Sequence, residues 1–203
     1  GHFQCHLHRY GSAVCQKYHF GNKYPNIVFV GRLTEVKKLD QILLSQSVCK
    51  TDGCIFNVTF IGEGEMESRL QQLAKTLDLE KFIWFYGSTY DEKELSQLLY
   101  SADLCVAPGN IGLTAMHAMT FGCPCISHND FKWQMPEFEA IQEGVTGTFF
   151  ERDNTEDLAR VLKEWLNKHK DDREQVRDAC FKEIDGRWNP HKQIEVIKKM
   201  VGL

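Results

Sequence analysis

From residue 26 onward the chain repeats one pattern: a short β-rich apolar run, a glycine at its end, then residues at helical spacing. Asn26-Ile27-Val28-Phe29-Val30 stops at Gly31, and Leu39, Ile42 and Leu43 follow at helical intervals. Residues 55–61 stop at Gly62, ahead of a helix whose apolar face is Met66, Leu70, Leu73 and Leu77. Residues 82–86 close at Gly87. Runs this short and this continuously apolar predict strands buried on both faces.

The alternation continues. Asp91 with Glu94 three positions on predicts a capping box, opening a helix with Leu95, Leu98 and Leu99 inside. A strand over 103–107 is stopped by Pro108-Gly109, and a helix over about 112–121 leads through Gly122 into the strand 124–127. A short strand over 147–150 precedes a strongly amphipathic helix bearing Leu158, Val161, Leu162, Trp165 and Leu166, capped by Asn154 or Thr155. Strands and helices in this rhythm require βαβ crossovers, hence an α/β fold with a mostly parallel sheet and helices on both faces. In such sheets the ligand sits beyond the carboxyl ends of the strands. That rule selects Gly31-Arg32, residues 62–64, Gly87-Ser88-Thr89 and residues 108–112.

Composition excludes several classes. The net charge is 24 − 28 = −4, so no basic field marks a nucleic-acid partner. No apolar run approaches the roughly 20 residues that span a bilayer. The cysteines 49, 54, 105, 123, 125 and 180 lie in apolar runs, where cysteine behaves as a small hydrophobe, and this points to a reducing cytoplasm rather than a disulfide framework. Residues 1–25 break the pattern and read as a trimmed edge or an interdomain remnant. Residues 26–203 form the domain, closed by a helix at about 190–202 that Trp188-Asn189-Pro190 opens.

Two segments carry candidate chemistry. In residues 30–38 the Arg32 guanidinium just past a strand end and the Lys37 ammonium five residues later suit one shared anion. Solvated surface charge is the plain alternative. Residues 108–119 are a glycine-punctuated loop running into a helix, and the first amides of that helix, at Gly112, Leu113 and Thr114, favour an anion. A tight turn before a buried helix needs the same glycines.

Together these residues resemble a known family. Gly31-Arg32-Leu33 with Lys37, Gly62-Glu63-Gly64, Ala102-Asp103, Pro108 with Gly112-Leu113, Ala118-Met119 with Gly122 and Pro124, and Gly144 with Gly147 follow in an order similar to the C-terminal, donor-binding domain of the family 4 retaining glycosyltransferases. The resemblance covers about residues 26–168 and implies a Rossmann-like lobe of the two-lobed GT-B fold. It implies that Arg32 and Lys37 contact the diphosphate of a sugar nucleotide and serve the chemistry. It implies that Gly31, Gly109, Asn110, Ile111, Gly112, Leu113 and Thr114 line the donor, and that Gly87, Ser88 and Thr89 contact the base. Glu139, five residues before Gly144, matches a recurrent glutamate.

The family usually carries two glutamates eight positions apart, the first by the donor sugar and the second on the ribose. Here those positions are Gly109 and His117. A neutral imidazole still offers one hydrogen bond per ring nitrogen, so His117 is expected on a ribose hydroxyl or, alternatively, in the core. The amides of Gly109 and Asn110, or the Asn110 side chain, are expected to replace the first glutamate. The Gly109-to-His117 version is similar to a subset that builds bacterial surface polysaccharides.

The expected reaction transfers a hexosyl group, with retention, from a nucleoside-diphosphate sugar to a sugar or lipid-linked glycan. It needs no metal and no other cofactor. The expected location is the cytoplasm, with peripheral contact on the inner face of the membrane. The acceptor lobe is expected to precede residue 26, leaving the piece alone inactive. Three rivals stand beside this reading. One is a dinucleotide-binding module, though no Gly-x-Gly-x-x-Gly follows the first strand. Another is a metal module built on Cys5, His6, His8, Cys15 and His19, whose spacing fits no familiar finger. The third is a degenerate scaffold domain.

Overall fold

The computed structural model describes residue 20 and residues 23–188. The expected strands form one parallel sheet. In chain order they are β1 (Asn26–Val30), β2 (Asn57–Ile61), β3 (Ile83–Gly87), β4 (Leu104–Ala107), β5 (Cys125–His128) and β6 (Gly147–Phe150). They lie side by side as β3-β2-β1-β4-β5-β6. Every residue of β2 is buried, as are the first four of β1, which is why these runs are apolar throughout rather than alternating.

Among the described residues six α-helices cover the sheet: α1 (Asp40–Thr51), α2 (Glu67–Thr76), α3 (Glu92–Ser101), α4 (Leu113–Thr120), α5 (Thr155–Lys168) and α6 (Arg173–Glu183). Right-handed crossovers put α1 and α2 on one face, where α5 returns to pack on α1. On the other face α6 packs against α4, and the Arg177 guanidinium stacks 3.7 Å over the Tyr100 ring of α3. Capping explains where two helices begin. The Asp91 side chain accepts from the backbone amides of Lys93 and Glu94, and the Asn154 side chain accepts from the backbone amide of Asp157. The reciprocal half of the expected capping box does not form. Glu94 instead accepts from the hydroxyls of Tyr86 and Thr89, both at 2.8–2.9 Å.

The strand order sets the position of the site. Residues 26–101 add strands outward from β1 in one direction, and residues 104–150 add them from β4 in the other. The chain reverses between β1 and β4, so a crevice opens where the loops leaving these two strands diverge.

The six described cysteines are free thiols. Among the described residues no helix is long and apolar enough to cross a membrane. The helix expected at about 190–202, and Cys5, His6, His8, Cys15 and His19, lie outside the described residues.

Candidate functional site

At the carboxyl pole the loops after β1, β2 and β3 lie flush on one another through backbone. The Gly31 amide donates to the Ile61 carbonyl at 3.0 Å and that of Gly62 to the Gly87 carbonyl at 2.8 Å. Gly62 has φ +140°, and a Cβ there would come within 1.9 Å of the Gly31 carbonyl oxygen, so only glycine permits the stack.

Across the crevice, the loop after β1 meets the loop after β4 in three ways. The Thr114 hydroxyl, in the first turn of α4, donates to the Val30 carbonyl at 3.0 Å. The Gly109 amide donates to the Lys37 carbonyl, also at 3.0 Å. The Lys37 ammonium reaches the Asn110 carbonyl at 3.0 Å and its side-chain oxygen at 2.9 Å. Burial pulls the Lys37 pKa below the ordinary lysine value, and these two neutral acceptors leave its charge uncompensated. Arg32, on the same loop, is exposed, and its guanidinium has no hydrogen-bond or ion-pair partner among the described residues.

No side chain caps the start of α4. Gly112, at φ −126°, is its N-cap and offers no side-chain cap, so the leading amides of Gly112, Leu113 and Thr114 have no intrahelical acceptor. The Ile111 amide is already used, donating to the Gln134 side-chain oxygen at 2.8 Å, and the Ile111 side chain is buried.

One expectation about this loop needs correction. The Gly109 amide does not face a ligand, because the Lys37 carbonyl holds it. Nor is there room for a glutamate at 109 on this backbone: a Cβ would lie 2.3 Å from the Val36 carbonyl oxygen and 2.8 Å from the Lys37 Cα. Among the described residues no group of three His, Cys, Asp or Glu side chains gathers as if to hold a metal.

The switch-point crevice is thus flanked by one half-buried lysine, one arginine with a free guanidinium and the start of a helix. The family model for glycosyl transferases group 1 matches residues 15–182. The chain belongs to that family.

Relatives of this group 1 domain include the amylovoran biosynthesis glycosyltransferase AmsK of Erwinia amylovora, 28% identical over 81% of this chain and 41% of AmsK. Another is the putative colanic acid biosynthesis glycosyltransferase WcaL of Escherichia coli, 27% identical over 68% of this chain and 38% of WcaL. The chain thus spans about two-fifths of the length of these relatives. Among solved structures, the C-terminal domain of the group 1 glycosyl transferase LpcC from Francisella tularensis superposes with TM-score 0.71 at 22% identity, covering 89% of this chain and 93% of that one. The Anabaena protein HepE, solved with UDP, superposes at 0.70 and 17% identity over 89% of this chain and 49% of HepE. These likenesses confirm the Rossmann-like, GT-B type of lobe.

The other residues expected at the site lie in the turn after β3, in α4 and in the turn Pro136–Ala140. Gly87, at φ +86°, turns the chain out of β3. The Ser88 hydroxyl donates to the Glu63 carboxylate at 2.8 Å and that of Thr89 to Glu94, so both protons are already engaged. His117 lies one turn along α4 and is exposed beside Leu113, not in the core. Glu139 is exposed on the single turn Pro136–Ala140.

Sequence reading passed over Gln134 and Glu137. Gln134 ties the segment after β5 to the site, donating to the Ser127 hydroxyl at 2.8 Å and the His128 carbonyl at 2.9 Å while accepting from Ile111. Its one visible signal was its place a few residues past a strand end. His128, at the end of β5, is buried, and that burial lowers its pKa.

Large apolar side chains are exposed around the same pole: Val36, Tyr90, Leu113, Phe131, Trp133 and Met135. A cavity of about 250 Å³ opens at the opposite end of the sheet, lined by Lys23, Asn26, Asp103, His169 and Arg173 among others. It lies by the amino ends of the strands, where the switch-point rule places no ligand.

Proposed function

We propose that the crevice between the loops after β1 and β4 binds the diphosphate of a sugar nucleotide. In the longer protein, the glycosyl group then passes to a sugar or lipid-linked glycan acceptor with retention of configuration, in surface-polysaccharide or related glycan synthesis. The observation that carries the reading is the seating of Lys37, a partly buried ammonium held by two neutral oxygens of Asn110 at the entrance to α4. A cation kept out of water with no counter-charge gains most from an arriving anion.

The chemistry follows from charge. Breaking the bond between the anomeric carbon and phosphate places negative charge on the departing nucleoside diphosphate. Arg32, Lys37 and the amides of Gly112, Leu113 and Thr114 stabilise that charge more strongly as it develops. Gly31 allows close approach of the phosphates. Ser88 and Thr89 present hydroxyl oxygens and backbone to the base, and His117 presents its imidazole to the ribose. No metal is needed in this scheme.

The exposed apolar rim supports closure by a second lobe carrying the acceptor, which would exclude water from the reaction. Peripheral contact with the inner face of a membrane belongs to that longer protein, as does any turnover.

The test is calorimetric titration of the chain with UDP, GDP and ADP. Binding of one of them with at least micromolar affinity, competed by the matching sugar nucleotide and not by NAD, is expected. Absence of binding to all three would leave only a scaffold domain. Retention is read separately, from the anomeric configuration of the product made by the longer protein.

A further inference from the structure

The family's sugar-side glutamate has no room at position 109, yet a different carboxylate sits at the same mouth. Glu137 follows Pro136 in the turn Pro136–Ala140, and Gln134 pins that segment to both Ile111 and the end of β5. One Glu137 carboxylate oxygen, Oε2, lies only 3.9 Å from where a Cβ on Gly112 would be, beside the leading amides of α4. That oxygen is buried and has no hydrogen-bond partner among the described residues.

A buried carboxylate oxygen without a donor is costly, and native structures rarely leave one so without cause. It is not spent as a helix cap, since it accepts from none of the α4 amides beside it. It is unsuited to the diphosphate, because two anions in one crevice repel. The group it fits is a neutral hydroxyl donor next to the phosphate that α4 receives, and in a sugar nucleotide that group is the sugar.

Resting on the donor-site reading above, we propose that Glu137 accepts a hydrogen bond from a hydroxyl of the donor hexosyl group. It does from the segment after β5 what the family's glutamate does from the loop after β4. Met135, an unbranched and partly exposed side chain, has its Cγ 3.3 Å from where the same Cβ on Gly112 would be, so it flanks Glu137 on that face.

The experiment compares the unaltered 203-residue chain with Glu137→Gln and Glu137→Ala. Each is titrated with UDP and GDP and with UDP-glucose, UDP-N-acetylglucosamine and GDP-mannose. The variants are expected to hold the free nucleoside diphosphate within about twofold of the unaltered chain. Affinity for the preferred sugar nucleotide should fall about tenfold or more, with alanine worse than glutamine. Retained diphosphate binding certifies that the variants are folded. Equal losses on both ligands would mean that Glu137 only shapes the mouth of α4, and no loss on either would mean that it touches nothing, so each result overturns the proposal. If the unaltered chain bound none of these ligands, the donor-site reading itself would fall and take this inference with it, a result recognisable without any variant.

Discussion

The loops that leave β1 and β4 reach the same crevice with opposite equipment. Residues 31–38 bring side chains: Arg32, free and exposed, and Lys37, half-buried on Asn110. Residues 108–112 bring mostly backbone, because Gly109 presses on Val36 and Lys37 and Gly112 opens α4 without a side chain. One loop supplies net charge and the other supplies oriented dipoles. Side-chain charge can be moved or replaced at modest cost to the fold, whereas a backbone donor array depends on the close approach that creates it.

That contrast predicts unequal damage. The largest effect is expected from Gly109→Ala, whose new methyl meets the Val36 carbonyl and the Lys37 Cα, both backbone atoms that cannot rotate away. Overpacking of this kind costs about 1–3 kcal/mol, and it pries the two loops apart. Thermal unfolding should shift down by several degrees and diphosphate binding should vanish. A Gly109→Ala protein as stable and as competent as the original would break the comparison.

Lys37→Ala comes next. Loss of a charge-assisted hydrogen bond, worth about 1.5–3 kcal/mol, predicts roughly ten- to hundredfold weaker diphosphate binding by calorimetry. The buried Lys37 also sharpens the comparison through pH. Its pKa is held below the ordinary value by burial, so it loses its proton earlier as pH rises. Diphosphate affinity should therefore decline on the alkaline side before an exposed lysine would titrate, and the decline should disappear in Lys37→Arg.

Arg32→Ala should weaken binding less, about fivefold to tenfold, and leave the unfolding temperature unchanged because the exposed guanidinium has no described partner to lose. The smallest effect is expected from Thr114→Val. It removes the hydroxyl that ties α4 to the Val30 carbonyl and should cost about 1 kcal/mol of stability while leaving the α4 amides in place. A loss of binding larger than that of Lys37→Ala would show that this tie, not the cation, organises the crevice.

Much of the architecture was legible in the residues. Strand ends marked by Gly31, Gly62 and Gly87 were readable because each carries a positive φ that other residues avoid. Asp91 and Asn154 declared two helix starts through local capping. Helix α6 left no comparable trace, since its buried face includes Arg177 and Glu183 beside Val176 and Cys180, and charge hides the apolar period. Residues 131–140 were equally opaque: their two single turns have no periodicity, and their anchors lie in other elements.

What the chain by itself determined is the parallel α/β lobe and the strand exits where a ligand must go, because local turn chemistry and apolar spacing act over a few residues. Only the tertiary structure decided what each exit residue does there. Lys37 meets Asn110 across 73 positions, Gly109 spends its amide on Lys37, and Glu137 arrives beside Gly112 without a partner. Such pairings form between segments far apart along the chain, so their geometry comes from how the β1 and β4 loops pack and not from any local pattern.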